Sequence, residues 1–204
     1  MDKPTPRFAL RSLLLGALLA GAPTALPAFA ADPPFVLDPA HSSARFSVQH
    51  LVLTSVKGTI KIASVELTAQ AGSPIPSAVN ATLDAATLDT QEPERDKILN
   101  GSDWLDTTTY PTIAFESTKI VGKDPNHFTI QGRLTLHGVT KPIVLEARYA
   151  GAVADASGRQ HVGYGATGKI DRRDYNLNWS RIMPAGDPIV GNDVTLDLEI
   201  EVVR

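Results

Sequence analysis

The sequence predicts an all-β protein, an eight-stranded antiparallel up-and-down barrel with one short helical insertion. Three observations carry that expectation. Apolar and polar residues alternate with a period of two along eight stretches, the pattern of strands with one oily and one wet face. Only one stretch after residue 30 reads as helix, and links such as GKDPN and LHGVTKP are short enough to join antiparallel neighbours.

Residues 1–30 place Lys3, Arg7 and Arg11 ahead of an apolar run, Leu13 to Ala22, and end on Ala28-Phe29-Ala30. That is the pattern of a secretory signal peptide cut after Ala30. The run is too short, and too rich in alanine and glycine, to span a bilayer well, and no second run of membrane length follows. The expected mature chain, 31–204, has about 174 residues, enough for a single domain with a core of its own, exported from the cytoplasm. With no cysteine in the sequence, packing alone must hold it. Loss of Lys3, Arg7, Arg11 and Asp2 moves the formal net charge from −3 to −5. A mildly acidic surface argues against nucleic acid or anionic membrane as the main partner, and stable membrane insertion is not expected.

Along the mature chain, Phe35 to Leu37 reads as a short extended segment before Pro39. Strands follow at Ser43–His50, Val56–Gln70, Ala78–Leu88, Thr112–Val121, His127–Leu136, Thr140–Val153, His161–Ile170 and Asp193–Val203. The last is the cleanest: Val194, Leu196, Leu198, Ile200 and Val202 alternate with Thr195, Asp197, Glu199 and Glu201. In the second strand Ile60 and Ile62 are even but Val65 and Leu67 odd, which predicts a β-bulge near Ala63 and Ser64. Pro93 to Leu99 is the helix, with Glu92 and Glu94 at its start and Gly101 just after it. Ser102 to Leu105 is read as a further turn.

Eight half-oily strands without a helical layer must cover one another. Closure into a barrel is preferred to a sandwich because it also removes the exposed edges. An eight-stranded barrel is either filled by its own side chains or just wide enough for one small ligand. Inward positions include Ala81, Ala85, Gly132, Ala147, Ala166 and Gly168. Such small residues leave space, or else face opposing leucines in a solid core, with the glycines as barrel bends; composition leaves both open.

Alternate connections of an up-and-down barrel lie at one end. The long excursions Asp89–Pro111 and Asp171–Asn192 therefore share an end, the expected mouth. They carry Arg95, Lys97, Trp104, Arg172, Arg173, Trp179 and Arg181. Cations beside indoles at an oily rim suit an amphiphile with a polar or anionic head. Ordinary surface pairs are the alternative, since Arg172 and Arg173 adjoin Asp171 and Asp174, and Arg95 lies between Glu94 and Asp96.

Signals of catalysis are absent. His41, His50, His127, His137 and His161 show no zinc-ligand spacing, and no nucleophile elbow, phosphate loop or dinucleotide fingerprint occurs. Neither a metal, a cofactor nor a catalytic residue is expected. His50 shares a face with Phe46 and Val48, so it points either at a ligand head or at a backbone partner in the core.

Five blocks carry a resemblance: LDPAHSSARFSVQHL, ERDKILNGSDWLDTTTYPTIAFESTKI, IQGRLTLHGVTKPIVL, ATGKIDRRDYNL and VGNDVTLDLEIE. In order and across Phe35 to Arg204, the chain resembles the YceI-like family of bacterial exported proteins. The resemblance implies a lipocalin-like barrel, often a homodimer, in the periplasm of a Gram-negative cell, its bore holding a polyisoprenoid or similar long amphiphile. Trp104 stands where the family's block more usually has phenylalanine. Binding and transport, not catalysis, is the implied role, with an isoprenoid quinone or its precursor as the expected ligand. Phe46, Val48, Phe115, Leu134, Leu136, Leu145 and Leu198 are the expected lining. His50, Arg95, Trp104, Arg172, Arg173, Trp179 and Arg181 are candidates for the head group or the mouth. Two other readings stay open: an enzyme acting on a lipid head through His50 or an arginine, and a solid-barrelled structural partner in an envelope complex.

Overall fold

Nine strands form one antiparallel sheet that closes on itself. They are β1 (Val36–Leu37), β2 (Ser43–His50), β3 (Thr54–Ala69), β4 (Pro76–Asp89), β5 (Thr112–Asp124), β6 (His127–Leu136), β7 (Val139–Ala154), β8 (Gln160–Asp171) and β9 (Val190–Val203). The computed structural model describes Met1 and residues 34–204 except 71, 185 and 187. The remainder of the expected signal segment lies outside the described residues.

From β2 to β9 each strand pairs with the next in sequence, and β9 returns to β2. Leu198 shows the closure, lying opposite Ala166 on one side and Ala44 on the other. The expected eight-stranded up-and-down barrel is therefore what the chain forms. β1 adds to β9 beyond the end of β2, with Val36 opposite Val203 and Leu37 opposite Val202. The bulge in β3 falls where the phase slip put it, between Ile62 and Ser64.

The helix α1 runs Pro93–Asn100. Glu92 caps it by accepting from the Arg95 N–H at 2.8 Å, Pro93 needs no partner at the first position, and the Gly101 N–H closes onto Ile98 O at 3.1 Å. Ser102 to Leu105 continues as turns rather than helix. A second short element, the 3₁₀ turn Arg172–Tyr175, starts the β8–β9 excursion.

Topology places the β2–β3, β4–β5, β6–β7 and β8–β9 links at one end, and four contacts tie them together. The Leu51 N–H donates to Ile189 O at 2.8 Å. The His137 ring bonds Tyr175 O at 3.1 Å and meets Tyr110 edge-on at 4.5 Å. Trp104 packs on Trp179 with ring centroids 5.0 Å apart. At the other end Val202 and Val162, opposite one another across β8 and β9, are buried, with Leu37 opposite Val202 on β1 and Phe35 packed against the same core. These apolar residues floor the barrel.

Candidate functional site

The barrel is hollow. Its bore encloses about 580 Å³, inside the range of roughly 300–1,000 Å³ typical of small-molecule sites. Val56 and Leu67 of β3 both line it. At about 3.3 Å per residue and a tilt of about 40°, that stretch climbs roughly 25 Å along the axis. A filled barrel, which the structural-partner reading requires, is not what the chain builds.

All the lining residues singled out from the sequence face the bore: Phe46, Val48 and His50 from β2, Phe115 from β5, Leu134 and Leu136 from β6, Leu145 from β7 and Leu198 from β9. Sequence reasoning passed over a comparable set, including Ile60, Ile62 and Val65 on β3 and Val194, Leu196 and Ile200 on β9. The same period-two alternation marks those residues, so the signal was present. Tyr164 also lines the wall; burial, then the neighbouring Tyr149, pushes its phenol up to about 12, so it stays protonated.

Ala81, Ala147 and Ala166 line the bore, whereas Ala85 is buried outside it. The inward glycines make room differently: they are seats, not open wall. A Cβ at Gly132 would lie 2.4 Å from the Phe115 ring, and one at Gly168 would lie 2.6 Å from Leu145 Cδ2. Gly58, directly opposite Phe46 on the neighbouring strand, would meet that ring at 2.5 Å. Each large side chain lies against a bare backbone instead of reaching across the axis.

At the mouth the structure separates the expected cations. Arg95 and Arg172 line the bore with Trp104 and Trp179; Arg173, Arg181 and Lys97 are exposed and stand outside the lining. Arg173 forms the expected surface pair with Asp171. Arg172 forms none with a carboxylate among the described residues. Its side chain is buried, gives Nε to Gly191 O at 3.0 Å, Nη2 to Val190 O at 3.3 Å and Nη1 to Leu177 O, and carries its guanidinium 5.8 Å from the Trp104 ring centroid. Burial lowers its pKa from the ordinary arginine value. Arg172 clamps the root of the β8–β9 excursion to the start of β9.

Arg95 likewise departs from the expected pairing with its neighbours. It gives Nε to Thr90 Oγ1 at 2.7 Å and Nη2 to Thr90 O at 2.8 Å, while the Asp96 carboxylate accepts from the Thr90 N–H at 2.9 Å. Thr90, itself buried, thus anchors α1 over the bore. His50 faces the bore with no hydrogen bond to its ring among the described residues.

The family model for the YceI-like domain matches residues 35–202. The chain belongs to the YceI-like family. It is 39% identical to the protein YceI of Escherichia coli O157:H7 over 150 residues, 74% of this chain and 78% of that one. The crystal structure of the Campylobacter jejuni YceI protein superimposes with a TM-score of 0.66 at 28% identity, covering 76% of this chain and 89% of that chain. A polyisoprenoid binding domain from Saccharophagus degradans shares the fold, with a TM-score of 0.56 at 16% identity over 82% of this chain and 97% of that chain.

One polar cluster of this YceI-like chain lies at the floor end, away from the bore. His161 stands between Glu201, 2.7 Å from Nδ1, and Asp155, 3.3 Å from Nε2. Asp38, His161 and Glu201 bring potential ligand atoms within 4.8 Å of one another. Both imidazole nitrogens, however, already face carboxylates, which suits a protonated ring; Glu201 first and Asp155 second raise the His161 pKa. No helix among the described residues is long and apolar enough to cross a membrane.

Proposed function

We propose that the protein is a periplasmic carrier that holds a polyisoprenoid or similar long-chain amphiphile, such as an isoprenoid quinone or its precursor, in the barrel. The single observation that carries this reading is the hollow apolar bore, whose lining gathers His50, Arg95 and two indoles at one end. The chain of the ligand runs down the bore and its head stays at the mouth. Burying about ten tail carbons contributes ~8 kcal/mol at roughly 0.8 kcal/mol per methylene. Association and ordering subtract several kcal/mol, and micromolar or tighter binding remains. Membership of the YceI-like family and the fold shared with a polyisoprenoid binding domain support the same ligand class.

In this reading His50, which faces the bore, serves as a head-group contact. Organic extraction of the purified protein followed by mass spectrometry tests the carrier reading. Recovery of a prenyl lipid in near-stoichiometric amount is expected. An empty barrel that also fails to take up added octaprenyl quinone overturns it.

A further inference from the structure

The mouth rim carries side chains that neither the bore nor the barrel wall uses. Among the described residues the large apolar groups most exposed at this end are Leu53 at 82%, Ile98 at 62%, Ile182 at 57% and Val52 at 51%. They come from three separate loops, β2–β3, α1 and the β8–β9 excursion. Ile98 also lines the bore, and Leu51 is hydrogen-bonded to Ile189, another lining residue. The rim's apolar side chains therefore adjoin residues of the bore lining at two points.

The backbone supports the exposure. Leu51 and Val52 both adopt left-handed conformations, with φ of 53° and 56°. The link is three residues long, Leu51–Leu53, with the Leu53 N–H closing onto His50 O at 3.1 Å, and a β-branched residue at positive φ is a strained outlier. This turn presents Val52 and Leu53 to solvent. Strain of that sort persists where a function holds it.

Charge indicates what the rim meets. Lys97 adjoins Ile98 and Arg181 adjoins Ile182; both are exposed and neither forms an ion pair among the described residues. Asp89, Glu92, Glu94 and Asp103 are exposed on the same α1 excursion, so the rim carries no net cationic field and a zwitterionic surface suits it. Apolar tips interleaved with cations fit the boundary between acyl chains and phosphate headgroups. Four side chains scattered over three loops bury far less than the roughly 1,200 Å² of a stable protein pair.

We infer that this rim is a docking surface for a phospholipid bilayer, inserting its apolar tips shallowly so that the bore opens onto the acyl layer. The inference rests on the carrier reading above, because a long-chain amphiphile must enter from a membrane.

Its test uses protein expressed from the full chain, phosphatidylcholine vesicles and octaprenyl quinone. Wild-type protein is expected to float with the vesicles. The double variant Leu53→Asp, Ile182→Asp, neither residue part of the lining, should partition about tenfold less and slow quinone transfer between vesicles to a similar degree. Its uptake of quinone supplied from detergent should equal wild type, which also shows that it is folded. Leu53→Trp, still apolar, should keep vesicle binding. Wild-type protein that does not float, or a double variant that transfers quinone at the wild-type rate, overturns the docking surface. So does a concentration-dependent dimer abolished by the double variant in the absence of vesicle binding. Failure of the wild-type protein to take up quinone from detergent rejects the carrier reading instead, and flotation alone then decides the rim.

Discussion

The Phe46 ring lies over Gly58, its cross-strand partner, so closely that a Cβ at position 58 would stand 2.5 Å from Phe46 Cζ and 2.9 Å from Asp89 O. The ring can yield by rotating into the bore, but the carbonyl cannot. Gly58→Ala therefore both strains the wall and narrows the cavity. A loss of about 1–3 kcal/mol is expected, read as a lower thermal midpoint together with reduced quinone capacity. The double variant Gly58→Ala, Phe46→Leu should recover part of both. Purely additive losses in that pair would show that the ring does not use the glycine as its seat.

The Arg172 clamp predicts a different signature. Arg172→Lys keeps the charge but cannot reach Leu177, Val190 and Gly191 with one planar fork. Charge-assisted hydrogen bonds contribute roughly 1.5–3 kcal/mol each, so loss of even one should be plain in a denaturant titration. Hydrogen exchange should rise first in the β8–β9 excursion and the start of β9. Uniform loosening of the barrel would instead assign Arg172 to general packing.

The only two tryptophans in the chain are Trp104 and Trp179, and they face each other at the mouth. Intrinsic tryptophan emission thus reports this end of the barrel alone. Titration with octaprenyl quinone should quench it saturably, one ligand per protein, and Trp179→Phe should leave a weaker but still saturable response. Stoichiometric uptake by mass spectrometry with unchanged emission would place the quinone ring at the floor end.

Much of the barrel was legible because its information is local. Alternation in β9, the phase slip before Ser64 and the Glu92 to Gly101 bracket each lie within a few residues of the feature they produce. The mouth was only half legible. Beside Asp171 and Asp174, Arg172 reads as a surface cation, yet its partners are backbone carbonyls up to residue 191, which have no side-chain signature. The glycine seats needed strand register as well as parity: Gly132 looks like open lining until Phe115 is placed on the adjacent strand. In the floor cluster Asp155 meets His161 across the β7–β8 turn and Glu201 comes from the next strand, so only Asp38, carried in where β1 pairs with β9, depends on closure of the sheet.

That cluster sets the pH dependence of stability. Glu201 and Asp155 raise the His161 pKa, and Asp38 raises that of His41. A raised histidine stabilises the fold fully below its unfolded value of about 6.5, and the contribution disappears as pH rises through the folded value. The carboxylates act in the opposite sense. His41 lowers Asp38, Ser157 and then Arg159 lower Asp155, and Arg173 lowers Asp171. Their contribution is present above about 3.9 and is lost as pH falls further. Both sets act together between roughly pH 4 and 6.5, so the thermal midpoint should peak there and decline toward pH 8. His161→Asn removes the alkaline-side part: it should melt below wild type at pH 5.5, with the gap closing by pH 8.5. Thermal melts of both proteins across this range decide the matter, and a gap that stays constant with pH would mean that His161 contributes through packing alone.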